Sequence, residues 1–137
     1  MGKEMKKVFA VSITRLYEDF VQQNGRNPSV DEIYDMARWA WRSNKAESCQ
    51  LVFACVNGII KGVFEAQEWF LCGEARLRPE LRPDEPMGSR RYHEIEEDIE
   101  ENRRIAFVGK VADSANQFLG NKAPRLCGPI GYTMVNC

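Results

Sequence analysis

The chain has 137 residues, 44% of them hydrophobic and 28% charged, the balance of an ordinary globular domain. That length supports one domain, 1–137, with one core, and excludes a disordered chain, a collagen-like chain and a disulfide-stapled mini-protein. Nineteen basic residues face twenty acidic ones, which argues against a dedicated duplex-DNA binder and leaves room for a local basic groove or a small anionic ligand.

The first block, KKVFAVSI at 6–13, is rich in β-branched and aromatic residues and reads as a strand. A rival reading is one long helix, because Met5, Val8, Phe9, Ile13, Leu16 and Phe20 also fit helical spacing. The strand is preferred, followed by a helix over 14–23 whose apolar face is Leu16, Tyr17, Phe20 and Val21. Asn24-Gly25 ends that helix, since both residues tolerate the left-handed conformation. A second helix starts at Ser29, where Ser29-Val30-Asp31-Glu32 forms a capping box behind Pro28. Ile33, Met36, Ala37, Ala40 and Trp41 make its buried stripe. Arg38 and Arg42 point away from the stripe, and Trp39 falls about 120° from its centre.

Asn57-Gly58 lies between QLVFACV and IIKGVFEAQEWF. An Asn-Gly pair so placed is a strong hairpin signal, because both residues accept positive φ. Residues 73–92 hold three prolines and mixed charge and read as an exposed loop. HEIEEDIEEN, 93–102, reads as a short solvated helix, and RIAFVGKVA, 104–112, as a strand. Asp113 or Ser114 then caps a helix that runs through Phe118 and Leu119 to Gly120. Ile130–Val135 reads as the last strand. The fold class is therefore α+β: a small curved antiparallel or mixed sheet, or a partial β-barrel, with about four helices.

Catalytic and metal signatures are weak. Five cysteines, Cys49, Cys55, Cys72, Cys127 and Cys137, form no CxxC pair. They read as reduced thiols in a cytoplasmic protein, with Cys55 and Cys72 acting as small buried hydrophobes. The apolar run after the basic N-terminus is too short for a signal peptide, and none approaches a membrane span. His93, the lone histidine, reads as a surface residue beside Arg90 and Arg91. The carboxylates of 94–101 lack the glycine and ligand alternation of a calcium loop. Gly109-Lys110 lacks the second glycine and the hydroxyl of a phosphate loop. No catalytic residue, metal or cofactor is assigned.

The strongest binding signal is RWAWR, 38–42, where indoles that could stack on bases neighbour guanidiniums that could hold phosphate. The alternative is that Trp41 packs into the core while the arginines are solvated. A second basic group, Arg76, Arg78, Arg82, Arg90 and Arg91, is interleaved with carboxylates.

EIYDMARWAWR, LVFACVNGIIKGVFEAQEWF, RIAFVGKVAD, FLGNKAP and GPIGYTMVNC together resemble a small, largely uncharacterised domain of bacteria and phages, found alone or near restriction and nuclease modules. The likeness covers most of 30–137 apart from 73–100. Arg38, Trp41, Pro129, Ile130, Tyr132, Asn136 and Cys137 match its pattern. Trp39 stands where glycine is usual, Gly128 replaces an asparagine and Gly131 a basic residue. The hairpin with its "EW" strand also resembles PUA-like domains, curved barrels that often read RNA or modified bases; this is fold analogy.

The sequence thus points to a non-enzymatic binding domain for a nucleotide-like ligand or an unpaired nucleic-acid base. Its candidate residues are Arg38, Trp39, Trp41, Arg42, Tyr132 and Asn136. Two alternatives stand beside it. One is a phage or mobile-element protein that interacts with or counters a host-defence component, for example by sequestering a nucleotide signal; a protein partner and a homo-oligomer both stay open as partners. The other is a nuclease or nucleotide hydrolase.

Overall fold

A computed structural model of the chain describes residues 5–38, 41, 45–71 and 105–137. The β-branched first block forms strand β1, Met5–Ser12, and not the start of a long helix. Helices α1, Thr14–Asn24, and α2, Val30–Ala37, follow. Strands β2, Leu51–Val56, and β3, Ile59–Leu71, form the hairpin. Strands β4, Ile105–Val111, and β5, Ile130–Asn136, complete the sheet. Short 3-10 turns occupy Ala46–Ser48 and Asp113–Phe118.

The five strands run in the order β4-β3-β2-β1-β5. β1 and β2 are parallel, and α1 and α2 supply the crossover that parallel neighbours require. The other pairs are antiparallel, with Phe9 opposite Tyr132 and Phe53 opposite Val63. The class is α+β with a mixed sheet, as the sequence indicates. The sheet is open between β4 and β5 and does not close into a barrel.

All six residues of β2 are buried. Side chains alternate across a strand, so Val52, Ala54 and Val56 enter one core and Leu51, Phe53 and Cys55 the other. The first core lies under α1 and α2 and includes Phe9, Ile33, Met36, Phe64 and Phe107. The second lies under Ala115, Phe118 and Leu126. Two covered faces explain why β2 reads as an unbroken apolar run.

Local signals produce local structure as expected. Asn57 has φ 50° and Gly58 φ 79°, the paired positive values of a type I′ turn. Gly25 ends α1 at φ 68°, its N–H donating to the Val21 carbonyl. At α2 the Ser29 hydroxyl accepts from the Glu32 N–H at 3.2 Å, and the Glu32 carboxylate accepts from the Ser29 N–H at 2.9 Å. Arg26 grips the same carboxylate at 2.8 and 3.1 Å. That guanidinium, helped by the Ser29 N–H, holds the Glu32 carboxyl down at about 2.

Three expectations require correction. Helix α1 buries none of its residues; Tyr17 and Phe20 only pack partway onto the core, and Leu16 is exposed. Helix α2 stops at Ala37 and does not run to Arg42, because β4 captures the backbone beyond it. The Phe107 N–H donates to the Arg38 carbonyl at 3.0 Å, and Trp41 and Ile105 exchange backbone bonds of 3.0 and 2.7 Å. The segment after Asp113 is a 3-10 turn, not an α-helix, so the described residues hold two α-helices where about four helices were expected overall. The expected helix over 93–102 and the 73–92 loop lie outside the described residues.

Candidate functional site

The six candidate ligand residues separate into three groups. Trp39 and Arg42 lie outside the described residues. Arg38 is buried, with only 4% of its surface exposed. Its Nε donates to Asp35 Oδ1 at 2.8 Å, and its guanidinium sits 5.9 Å from the Tyr34 ring centre. The sequence expectation that Arg38 points away from the apolar stripe is therefore wrong. Arg38 follows the last turn of α2 and packs inward there, where its carbonyl meets β4. Trp41 is half-buried against the first core, and its Nε1 donates to the Ala37 carbonyl at 2.7 Å. Trp41 thus packs against the core, as the packing alternative has it, while Arg38 is buried and not solvated.

Tyr132 and Asn136 are placed differently. Residues of one strand two apart share a face, so Tyr132, Met134 and Asn136 project together from β5. Across the β1–β5 ladder they stand beside Phe9, Lys7 and Met5. Tyr132 is 40% and Met134 52% exposed. One side of the Tyr132 ring rests on Phe9, with centres 5.6 Å apart, and the Lys45 ammonium lies 5.8 Å from the ring centre. Tyr132 and Met134 border a cleft of about 650 Å³, flanked opposite β5 by the 45–49 segment, with Lys7, Lys45, Glu47 and Cys49 also on its walls.

Packing behind the cleft explains its position. Trp69 meets Phe9 edge-on at 5.9 Å and Phe107 at 5.3 Å. Phe107 in turn meets Tyr34 at 5.7 Å, and Tyr34 meets Phe64 at 5.4 Å. This aromatic row crosses the sheet from β5 to α2. Trp69 Nε1 donates to the Cys49 carbonyl at 3.1 Å, which ties the 45–49 segment to the sheet. Gln50 adds a second tie, its Oε1 accepting from the Lys7 N–H at 2.8 Å.

Of the residues that line or support the cleft, Tyr132 was a candidate in the sequence, whereas Lys7, Lys45 and Trp69 were not. Lys7 carried a signal: in a strand of period two it shares a face with Met5 and Phe9. Lys45 carried none, because only the 3-10 turn after it brings it back over β5.

The cleft is suited to binding an anionic ligand with a flat apolar part. A ring can lie on exposed Tyr132 and Met134, while two ammonium groups supply positive charge. Burial pushes the Cys49 thiol up from its ordinary value, so it stays protonated at neutral pH and is a poor nucleophile. Burial likewise raises Cys55, to about 11. Among the described residues no group of three His, Cys, Asp or Glu side chains could hold a metal ion. His93, the 94–101 carboxylates and the arginines of the 76–91 region lie outside the described residues.

No family model, curated protein or solved structure matches this chain. No described helix is long and apolar enough to cross a membrane.

Proposed function

We propose that the chain is a non-enzymatic binding domain for a nucleotide-like ligand or an unpaired nucleic-acid base, and that its site is the Tyr132 cleft. The observation that carries this reading is the exposed Tyr132 ring beside the Lys45 ammonium, on a cleft that Lys7 also lines. An aromatic face accepts any base by stacking, and ammonium groups beside it accept phosphate. Asn136 adds a polar amide further along the same face of β5. Arg38 and Trp41 shape the fold and make no contact with the ligand. The resemblance of its sequence blocks to small bacterial and phage domains supports a cytoplasmic binding role of this kind.

The test is a fluorescence titration with nucleoside monophosphates and short single strands, run beside thermal shift. A ligand that binds only the native state raises its stability. Tyr132→Ala should weaken binding about 5- to 150-fold, the equivalent of ~1–3 kcal/mol for a stacked base. Lys45→Ala should weaken it and flatten its salt dependence. Failure of every nucleotide to bind, or parental binding by Tyr132→Ala, would overturn the proposal.

A further inference from the structure

The two edges of the sheet are treated differently. On β4 the outward N–H groups of Ile105, Phe107 and Gly109 are all taken. They donate to the Trp41 carbonyl at 2.7 Å, the Arg38 carbonyl at 3.0 Å and the Tyr34 hydroxyl at 2.9 Å. The stretch from Tyr34 to Trp41 therefore covers that edge from Ile105 to Gly109, the usual defence against edge pairing.

β5 is the opposite edge. Its Ile130 carbonyl turns outward, accepting from the Cys127 N–H at 2.8 Å. Alternation in an antiparallel ladder then directs the main chain of Gly131, Thr133 and Val135 toward β1, and that of Tyr132, Met134 and Asn136 outward. For Met134 and Asn136 the described residues offer those outward groups no partner. The face beside this open edge is apolar and cationic. Met5 and Met134 are exposed, and Lys7, Lys45 and Glu47 are the charged side chains that border the cleft among the described residues. β5 itself carries no charged residue, and β1 carries two lysines and no acid.

We propose that β5 is a docking edge for an extended acidic segment of a partner protein, which adds as the next strand and sets carboxylates two residues apart toward Lys7 and Lys45. Main-chain bonds to Met134 and Asn136 supply the pairing, and side chains at alternate positions supply selectivity, the usual division in strand addition. In the antiparallel alignment, the more stable one per residue, the residues opposite Tyr132, Met134 and Asn136 share their face, so acids there lie on the lysine side. A second copy fits less well. The edge is short against the ~1,200–2,000 Å² that stable interfaces bury, and it would set one lysine-rimmed edge against another.

The probe is a terminally blocked peptide, Thr-Glu-Val-Glu-Val-Glu-Thr, titrated into the full chain while amide resonances are followed. The Met134 and Asn136 amides should shift on saturable binding. Replacing the glutamates with lysines should weaken binding at least tenfold. Methylating the three glutamate nitrogens, which face β5, should weaken it by about tenfold or more, as expected for two or three lost hydrogen bonds; methylating the valine nitrogens should not. The double variant Lys7→Glu with Lys45→Glu should prefer the lysine peptide. The proposal is overturned if the two peptides bind alike or not at all, or if methylated glutamate nitrogens bind like the parent. It is also overturned if sedimentation shows a dimer that Met134→Pro converts to monomer. Stacking of a nucleotide on Tyr132 does not use the peptide's N–H groups, so failure here and failure of the nucleotide reading are separate results.

Discussion

Trp69 is the residue on which fold and site meet, so its replacement tests both at once. Its indole contacts the Phe9 and Phe107 rings and donates to the Cys49 carbonyl at 3.1 Å. Trp69→Phe keeps a ring near those partners but removes the donor. A net hydrogen bond is worth ~0.5–1.5 kcal/mol, and the smaller ring forfeits part of the packing, so a loss of about 1–2 kcal/mol is expected. Trp69→Ala removes both ring contacts as well. Aromatic pairs contribute ~0.5–1.5 kcal/mol each beyond area, and Trp→Ala in a core costs ~3–5 kcal/mol. Trp69 is half-buried, so about 3 kcal/mol is the reasoned value. Urea unfolding should show a lower midpoint at an unchanged slope, the mark of a stability change and not a changed denatured state. Trp69→Phe should also loosen the 45–49 segment, move Lys45 from the Tyr132 ring and weaken ligand binding while the fold persists. The reasoning fails if Trp69→Ala unfolds at the parental urea concentration. It also fails if Trp69→Phe leaves the amide resonances of 45–49 unmoved.

Arg38→Ala should destabilise the protein by roughly 1.5–3 kcal/mol, the range for a hydrogen bond to a charged group, and leave nucleotide affinity within twofold. A selective loss of binding by the folded variant would return Arg38 to the ligand site. Gly58→Val should cost at least ~1–2 kcal/mol, because a β-branched residue is strained at φ 79°; an unchanged melting temperature would refute this turn. Burial raises the folded Cys55 thiol from 9.0 to about 11, so the unfolded chain releases that proton first. Its contribution to stability is complete below pH 9 and is lost as pH rises from 9 to 11, and Cys55→Ala should flatten that alkaline decline in urea midpoints. In thiol labelling of the native protein, exposed Cys127 should react before buried Cys55; equal rates would contradict the burial.

The parts of this fold that were legible in the sequence are those whose causes lie within a few residues. Asn57-Gly58 forms its turn because both residues accept positive φ wherever they stand. Ser29 and Glu32 cap α2 because their reach matches the first turn of any helix. β2 and β3 were legible as hairpin strands because apolar runs flank the Asn57-Gly58 turn on both sides. The tertiary structure decided the rest. The pattern from Ile33 to Trp41 is helical in spacing, yet α2 ends at Ala37, because the β4 backbone, some 65 residues further along the chain, offers Arg38 and Trp41 better-placed partners. For the same reason Arg38, a solvated arginine by its position on the predicted helix, is buried beside Tyr34 and Asp35. Tyr132 was visible as a candidate, but its surroundings were not. Lys7, Lys45 and Trp69 come from three separate stretches, brought together only when β5 pairs with β1 and the Trp69 indole ties down the 45–49 segment. The cover over β4 from Ile105 to Gly109 depends likewise on those non-local bonds, and no local pattern of residues encodes them.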